Sequence, residues 1–375
     1  MKDDIPKSII INNNDIFNEI SYKIKPNSKN NSRKYYLYYD FLRILSSISV
    51  VLIHVSSKYY YKLDINSNSW KIAYYYNGMS RFGVPIFIMI SGSLFIKKEV
   101  SFERLFKIYI KRMLIHYFCW SFIYSLYKIK LNKTHIYKFI INIFQGPSHL
   151  WYLNKTITLY LIVPFLKEIS SKEELLILFI QLSFIFTFAL PNIIFLLSYY
   201  NDKVFNILNI IKLKFSVNFL RGHVFYFMLG YYLNNKIKIT YYKKIFIYFS
   251  GLIGFFITTI IFYYISIMKQ EKIRLFSPFN LNVLSYSIAV FIFFKEYFNN
   301  CTINKIEVIK KLSNLIFGIY LIHPLIIDYF IKKKYYLFIN KMLFKIPLMT
   351  LIVYLLSYLF SYLLKKIPLI GKILI

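Results

Sequence analysis

A chain of 375 residues that is 57% hydrophobic and 21% aromatic, with a mean hydropathy of +0.48, lies outside the range of soluble domains and fits a lipid bilayer. Its formal net charge of +32 sits on lysines in short loops between apolar runs, with no single basic stripe, which excludes nucleic acid and directs the charge to anionic lipid headgroups. Two cysteines, Cys119 and Cys301, provide neither a disulfide framework nor a metal-ligand spacing.

Residues 1–34 are rich in Asn, Lys, Ser and Ile, with no apolar core ahead of a small-residue cleavage site. They read as a polar cytosolic tail, poorly ordered, and not as a signal peptide. Beyond them, apolar windows near the roughly 20-residue length that crosses a bilayer fall at about 37–57, 74–96, 108–128, 149–168, 174–197, 218–234, 243–267, 279–298, 312–332 and 343–364. The expectation is an all-α integral membrane protein, a single bundle of about ten transmembrane helices over 35–368, with a short cytosolic end at 369–375. The lysines and arginines of the tail and of the loop "KKEVSFERLFKIYIKR" place both termini in the cytosol.

The first window, "YYDFLRILSSISVVLIHVSS", carries three ionisable groups. A charge near the bilayer centre costs at least a few kcal/mol, so such residues face protein or a wet cavity and take part in function. Eleven residues separate Arg43 from His54, which puts them three turns and roughly 16 Å apart on nearly one face. Asp40 and Ser47, three before and four after Arg43, join that face. The bland alternative is that Arg43 pairs with Asp40 and snorkels to the interface while His54 makes a structural hydrogen bond.

Later windows add polar groups by depth. With the amino terminus inside, the second window runs inward and places Arg81 in its outer third, at the level of His54. The fourth starts outside with His149, Trp151 and Tyr152, and the sixth with Arg221 and His223. The ninth runs outward through His323 to Asp328. Each has a plainer use: Trp151 and Tyr152 in an interfacial aromatic belt, Arg221 as an anchor, His323 before Pro324 as a filler of a helix gap. Arg43, with Lys111 and Arg112 of the third window, would form a basic inner mouth, and the histidines an outer chamber.

The segment "DFLRILSSISVVLIH" with its Arg-x10-His arrangement, followed in order by "RFGVPIFIMISGSLF", "HLWYL", "LYLIVPFL", "FMLGYYL" and "FGIYLIHPL", resembles the acyltransferase 3 family of membrane-bound O-acyltransferases. The likeness runs from Tyr39 to about Tyr362. It is closest to the branch that modifies surface polysaccharides and lipid-linked precursors, which includes the enterobacterial common antigen O-acetyltransferase and intercellular adhesin O-succinyltransferase-like proteins. What it implies is transfer of an acyl group, commonly acetyl from acetyl-CoA, to a sugar hydroxyl, with His54 as the catalytic histidine and Arg43 engaging the donor. No bound cofactor and no metal is implied; acyl-CoA is a co-substrate, and a glycan or lipid-linked sugar is the acceptor. Asp40, Arg81, His149, Trp151, Arg221, His223 and His323 are the candidates for substrate or oxyanion contacts. Two positions depart from the family: Ile44 stands where Gly is usual, and no Glu follows "HLWYL". The second departure, with the lack of a further domain here, argues against the branch that carries a secreted esterase-like domain. The rival expectation is a multi-span transporter of glycan intermediates or anions, although no convincing internal repeat is visible.

Overall fold

The computed structural model describes residues 36–132, 136–197, 202–214, 218–270, 277–299, 306–333, 341–368 and 370–375. The expected polar tail and Cys301 lie outside them. Every regular element among the described residues is helical. A helix pairs its backbone donors and acceptors within one segment, which is what an apolar solvent demands.

In chain order the helices are α1 (Leu37–Tyr60), α2 (Asn68–Met79), α3 (Gly83–Phe95), α4 (Lys111–Asn132), α5 (Ile136–Gln145), α6 (Trp151–Ser171), α7 (Glu173–Phe184), α8 (Leu190–Leu197), α9 (Asp202–Lys214), α10 (His223–Asn235), α11 (Tyr241–Phe256), α12 (Phe262–Lys269), α13 (Leu281–Asn299), α14 (Ile306–Ser313), α15 (Ile316–Lys332), α16 (Met342–Lys366) and α17 (Ile370–Leu374). Six stretches among the described residues are long and apolar enough to cross a membrane: α1, α2 with α3, Glu173–Ile194, Tyr241–Lys269, Leu281–Phe298 and α16. A seventh is added if α14 and α15, bent by 52° at their junction, form one span. By this measure the number is six or seven, against the ten expected. Helices also occupy 111–132, 151–171 and 223–235, of which the first opens on Lys111 and Arg112 and the last has only 13 residues.

Hydroxyls within the apolar helices bond back to their own backbone. Ser49 donates to Leu45 O at 2.9 Å, Thr258 to Gly254 O at 2.7 Å and Ser357 to Val353 O at 2.7 Å. Each is thereby satisfied without a partner from water.

α1 is the central helix, packed against α2, α3, α13, α14, α15 and α16. α15 runs parallel to it: Ser313, just before α15, donates to Asp40 at 2.7 Å, and Lys58 pairs with Asp328 at 2.7 Å at the other end. α16 runs antiparallel, with Tyr354 Oη 2.9 Å from Ser47 Oγ and Tyr59 donating to Met349 Sδ at 3.1 Å. α3 and α10 approach more closely than side chains would permit. A Cβ at Gly92 would stand 1.8 Å from Phe227 O and one at Gly230 2.1 Å from Met89 O, while Ser93 donates across the contact to Gly230 O at 2.9 Å. Two apolar cores result. One is built on α3, α10 and α6 and includes Ile90, Phe95, Tyr160 and Phe227; the other is built on α1, α2, α15 and α16 and includes Val51, Trp70, Ile319 and Ile346.

Candidate active site

Between the two cores lies a cavity of about 170 Å³, measured as the space that the centre of a water-sized sphere can reach. Arg43, Ser47 and His54 of α1 all line it, as the 3.6-residue period requires of three side chains on one face. Val50 and Val51 fill the wall between them, and α3 adds Val84, Phe87, Ile90 and Leu94, so the passage from arginine to histidine is mostly apolar.

At one end, Arg43 Nη1 donates to Asp40 Oδ1 at 2.7 Å, and Asp40 is held in turn by Ser313 Oγ at 2.7 Å. Asp40 is only 1% exposed and does not line the cavity. Its carboxylate sits behind the guanidinium and fixes its direction. Arg43 Nη2 is buried and has no hydrogen-bond partner among the described residues. An unpaired N–H donor in a dry site is costly to leave so and is a ready contact for an anionic or carbonyl oxygen. The tyrosines at this end come from separate elements. Tyr109 lies in the π-helical turn Leu105–Ile110 that leads into α4, and Tyr160 stands on α6.

At the other end, His54 meets His323 with ring centroids 5.0 Å apart, and His149 stands 6.2 Å beyond His323. His323 is fully buried, and its Nδ1 lies 3.0 Å from Ile319 O. A carbonyl only accepts, so Nδ1 carries the proton and Nε2 presents a lone pair with no partner among the described residues. His149 reaches the cavity through a local backbone device. Gly146 has a φ of +64° and Pro147 follows at −69°, turning the chain from α5 into the 3-10 turn Ser148–Leu150. Tyr320 Oη donates to His149 O at 2.7 Å, and the Tyr124 ring packs 4.6 Å from the imidazole.

A family model described as an acyltransferase domain matches residues 36–366. The chain belongs to the acyltransferase 3 family. Comparison with curated proteins and with solved structures gave no match. The match spans nearly all of the described helices, so in this acyltransferase the cavity and the domain are one unit. Its several apolar spans make it a multi-pass membrane protein.

Of the candidate residues, Arg43, His54, His149, Trp151 and His323 line one cavity in this acyltransferase. Arg81 does not line it, yet stands at the level of His54, as expected, near enough for its charge to act on that imidazole. Its Nε donates to Asn77 Oδ1 at 3.0 Å. Asn77 Nδ2 in turn contacts Ile53 O at 3.2 Å, Ser56 Oγ at 3.0 Å and Ser57 Oγ at 2.8 Å. Arg81 thus fastens the break between α2 and α3 to the back of α1. Arg221 and His223 line a separate cavity. Lys111 is exposed, and Arg112 Nη2 donates to Ile375 O at 3.2 Å beside the end segment 370–375. Sequence reasoning did not find Ser313, Asn314, Tyr109, Tyr160 and Tyr320, because their part depends on which helices meet α1. The hydroxyl of Ser313 just before a Pro-containing apolar helix was a weak signal.

Proposed function

We propose that the protein is a membrane-bound O-acyltransferase that takes an acyl group, acetyl from acetyl-CoA, and delivers it to a hydroxyl of a surface polysaccharide or lipid-linked sugar. In this reading ten helices cross the cell membrane with both termini cytosolic. The Arg43 end faces the cytosol and the His54 end faces out. The observation that carries it is the continuous cavity lined at its two ends by Arg43 and His54.

CoA carries phosphates, which an arginine with free N–H groups recognises by charge-assisted hydrogen bonds. A phosphopantetheine arm is long enough to bridge the roughly 16 Å of helix between the two residues. At the far end His54 accepts the proton of the acceptor hydroxyl as its oxygen attacks the thioester carbonyl. The tetrahedral intermediate then collapses with loss of the CoA thiolate, which takes up the proton, leaving a sugar ester and free CoA. His323 and His149 form the wall against which the His54 imidazole is held. The family's catalytic pattern, carried over by motif position, supports these roles, and the motifs resemble those of the polysaccharide-modifying branch.

The test is mass spectrometry of surface glycans from cells that lack the protein, that express it, and that express His54→Ala. An added acyl mass seen only with the unsubstituted protein is expected, with His54→Ala at background despite normal membrane insertion. Full acylation by His54→Ala would refute the catalytic assignment. Movement of glycan across sealed vesicles with no acylated product would replace enzyme by transporter.

A further inference from the structure

A second cavity, about 520 Å³ by the same measure, adjoins the His54 end of the first. Lys155, Thr158, Thr187, Arg221 and His223 face it, with Phe279 as an apolar wall. None of its lining residues is a carboxylate. The Lys155 ammonium and the Arg221 guanidinium make no hydrogen bond or ion pair with the described residues. His223 Nε2 is buried and likewise without a partner. The backbone N–H of Gly222 is already used, donating to Thr187 Oγ1 at 2.9 Å, so recognition in this cavity falls to side chains.

Two cations and a histidine converging on a space with no counter-charge favour an oxyanion there. Arginine takes a phosphate or carboxylate bidentately, and a lysine supplies a second positive charge. The volume falls within the roughly 300–1,000 Å³ of small-molecule sites, which is more room than a bare ion needs. The Phe279 ring offers an apolar wall for the face of a sugar. The two cavities share a thin partition. Trp151 lines the first and His223 the second, and their rings meet 5.3 Å apart at 39°. A molecule held by Arg221 is therefore one ring pair away from the histidine chamber.

We propose that this second cavity is the docking site of the acyl acceptor and selects an acceptor bearing a phosphate or carboxylate, which Arg221 and Lys155 hold while a hydroxyl of the same molecule reaches past Trp151 toward His54. This rests on the acyl-transfer reading for what the site is for, but its binding chemistry is testable separately. A phosphodiester of an anionic phospholipid offers the same charge, so the experiment must separate the two sources.

The full chain in phosphatidylcholine nanodiscs is titrated with glucose 1-phosphate, and its thermal unfolding midpoint is followed. A saturable rise in midpoint is expected, absent with glucose at equal concentration. In the double variant Lys155→Gln, Arg221→Gln the apparent affinity is expected to fall at least tenfold, while Arg43→Gln keeps the response. If the double variant does not fold, Arg221→Lys compared with Arg221→Gln decides, the first retaining the response and the second losing it. No response to glucose 1-phosphate, or one unchanged in the variants, overturns the proposal. A stabilisation produced by phosphatidylglycerol nanodiscs, dependent on Arg221 and blocking glucose 1-phosphate, overturns it in favour of a lipid headgroup. His54→Ala should lose acyl transfer yet keep the response, so an intact response without any acyl transfer in the unsubstituted protein refutes the enzymatic reading alone.

Discussion

Arg43 and Asp40 form a pair with one member locked into the fold and the other open to the cavity. The carboxylate is buried and bonded twice, while the guanidinium keeps one nitrogen unpaired at the cavity. Breaking a buried ion pair by removing one partner costs roughly 3–5 kcal/mol, because the other charge stays behind. Asp40→Ala is therefore expected to lower folded yield and unfolding midpoint strongly. Arg43→Ala is expected to raise the KM for acyl-CoA. A charged hydrogen bond is worth roughly 1.5–3 kcal/mol, which is about ten- to a hundredfold in kcat/KM. An unchanged dependence of turnover on acyl-CoA concentration in Arg43→Ala would remove the donor-binding role. At this scale the sequence was legible where one helix carries the pattern: Arg43, Ser47 and His54 share a face by periodicity alone. Arg81 was not, since depth in a helix can be read from a sequence but its direction around the axis cannot. It lies at the expected depth, where its charge acts on His54, but it bonds Asn77 and does not line the cavity.

Among the elements, the contact of α3 with α10 holds one wall of the cavity in place, because Ile90 and Leu94 of α3 line it while Gly92 faces the other way onto Phe227. In lipid, helices associate through close packing at small residues more than through burial of apolar surface. Gly92→Val and Gly230→Val force the helices apart, and overpacking of this kind costs typically about 1–3 kcal/mol. Both variants are expected to unfold at lower temperature in detergent; a midpoint equal to that of the parent would show that the contact is dispensable. Element existence was legible from hydropathy, since a helix stands in each apolar window. Boundaries were less so. The window at 74–96 is broken at Ser80–Phe82, and that at 218–234 begins its α-helix only at His223, after Gly222 with its φ of +86°.

For the whole molecule, the orientation of the bundle fixes which end of the cavity meets which compartment. Exposed Asn66 follows α1 and exposed Ser101 follows α3. With Cys119 and Cys301 replaced by serine, a cysteine at Asn66 is expected to react with an impermeant maleimide added outside the cell, and one at Ser101 only after permeabilisation. The reverse pattern would invert the direction of transfer. The parallel run of α15 and the antiparallel run of α16 against α1 follow the alternation of the apolar windows, but that these two helices lie against α1 could not be read from the chain, because the pairs that show it, Ser47 with Tyr354 and Asp40 with Ser313, join residues far apart in sequence.

The valines and the α3 side chains between Arg43 and His54 form a sleeve with few groups able to hold a water molecule. On the proposed reaction, a thioester lodged there is shielded from hydrolysis until an acceptor arrives, so idle breakdown of acyl-CoA should be slow. Val51→Ser, which wets the sleeve, is expected to raise the acceptor-free release of CoA severalfold in a thiol-detection assay. Leakage as low as in the parent would mean that dryness is kept by something other than these walls. The greasy lining would then act as a fuse guard, keeping a reactive ester intact inside a cell full of water.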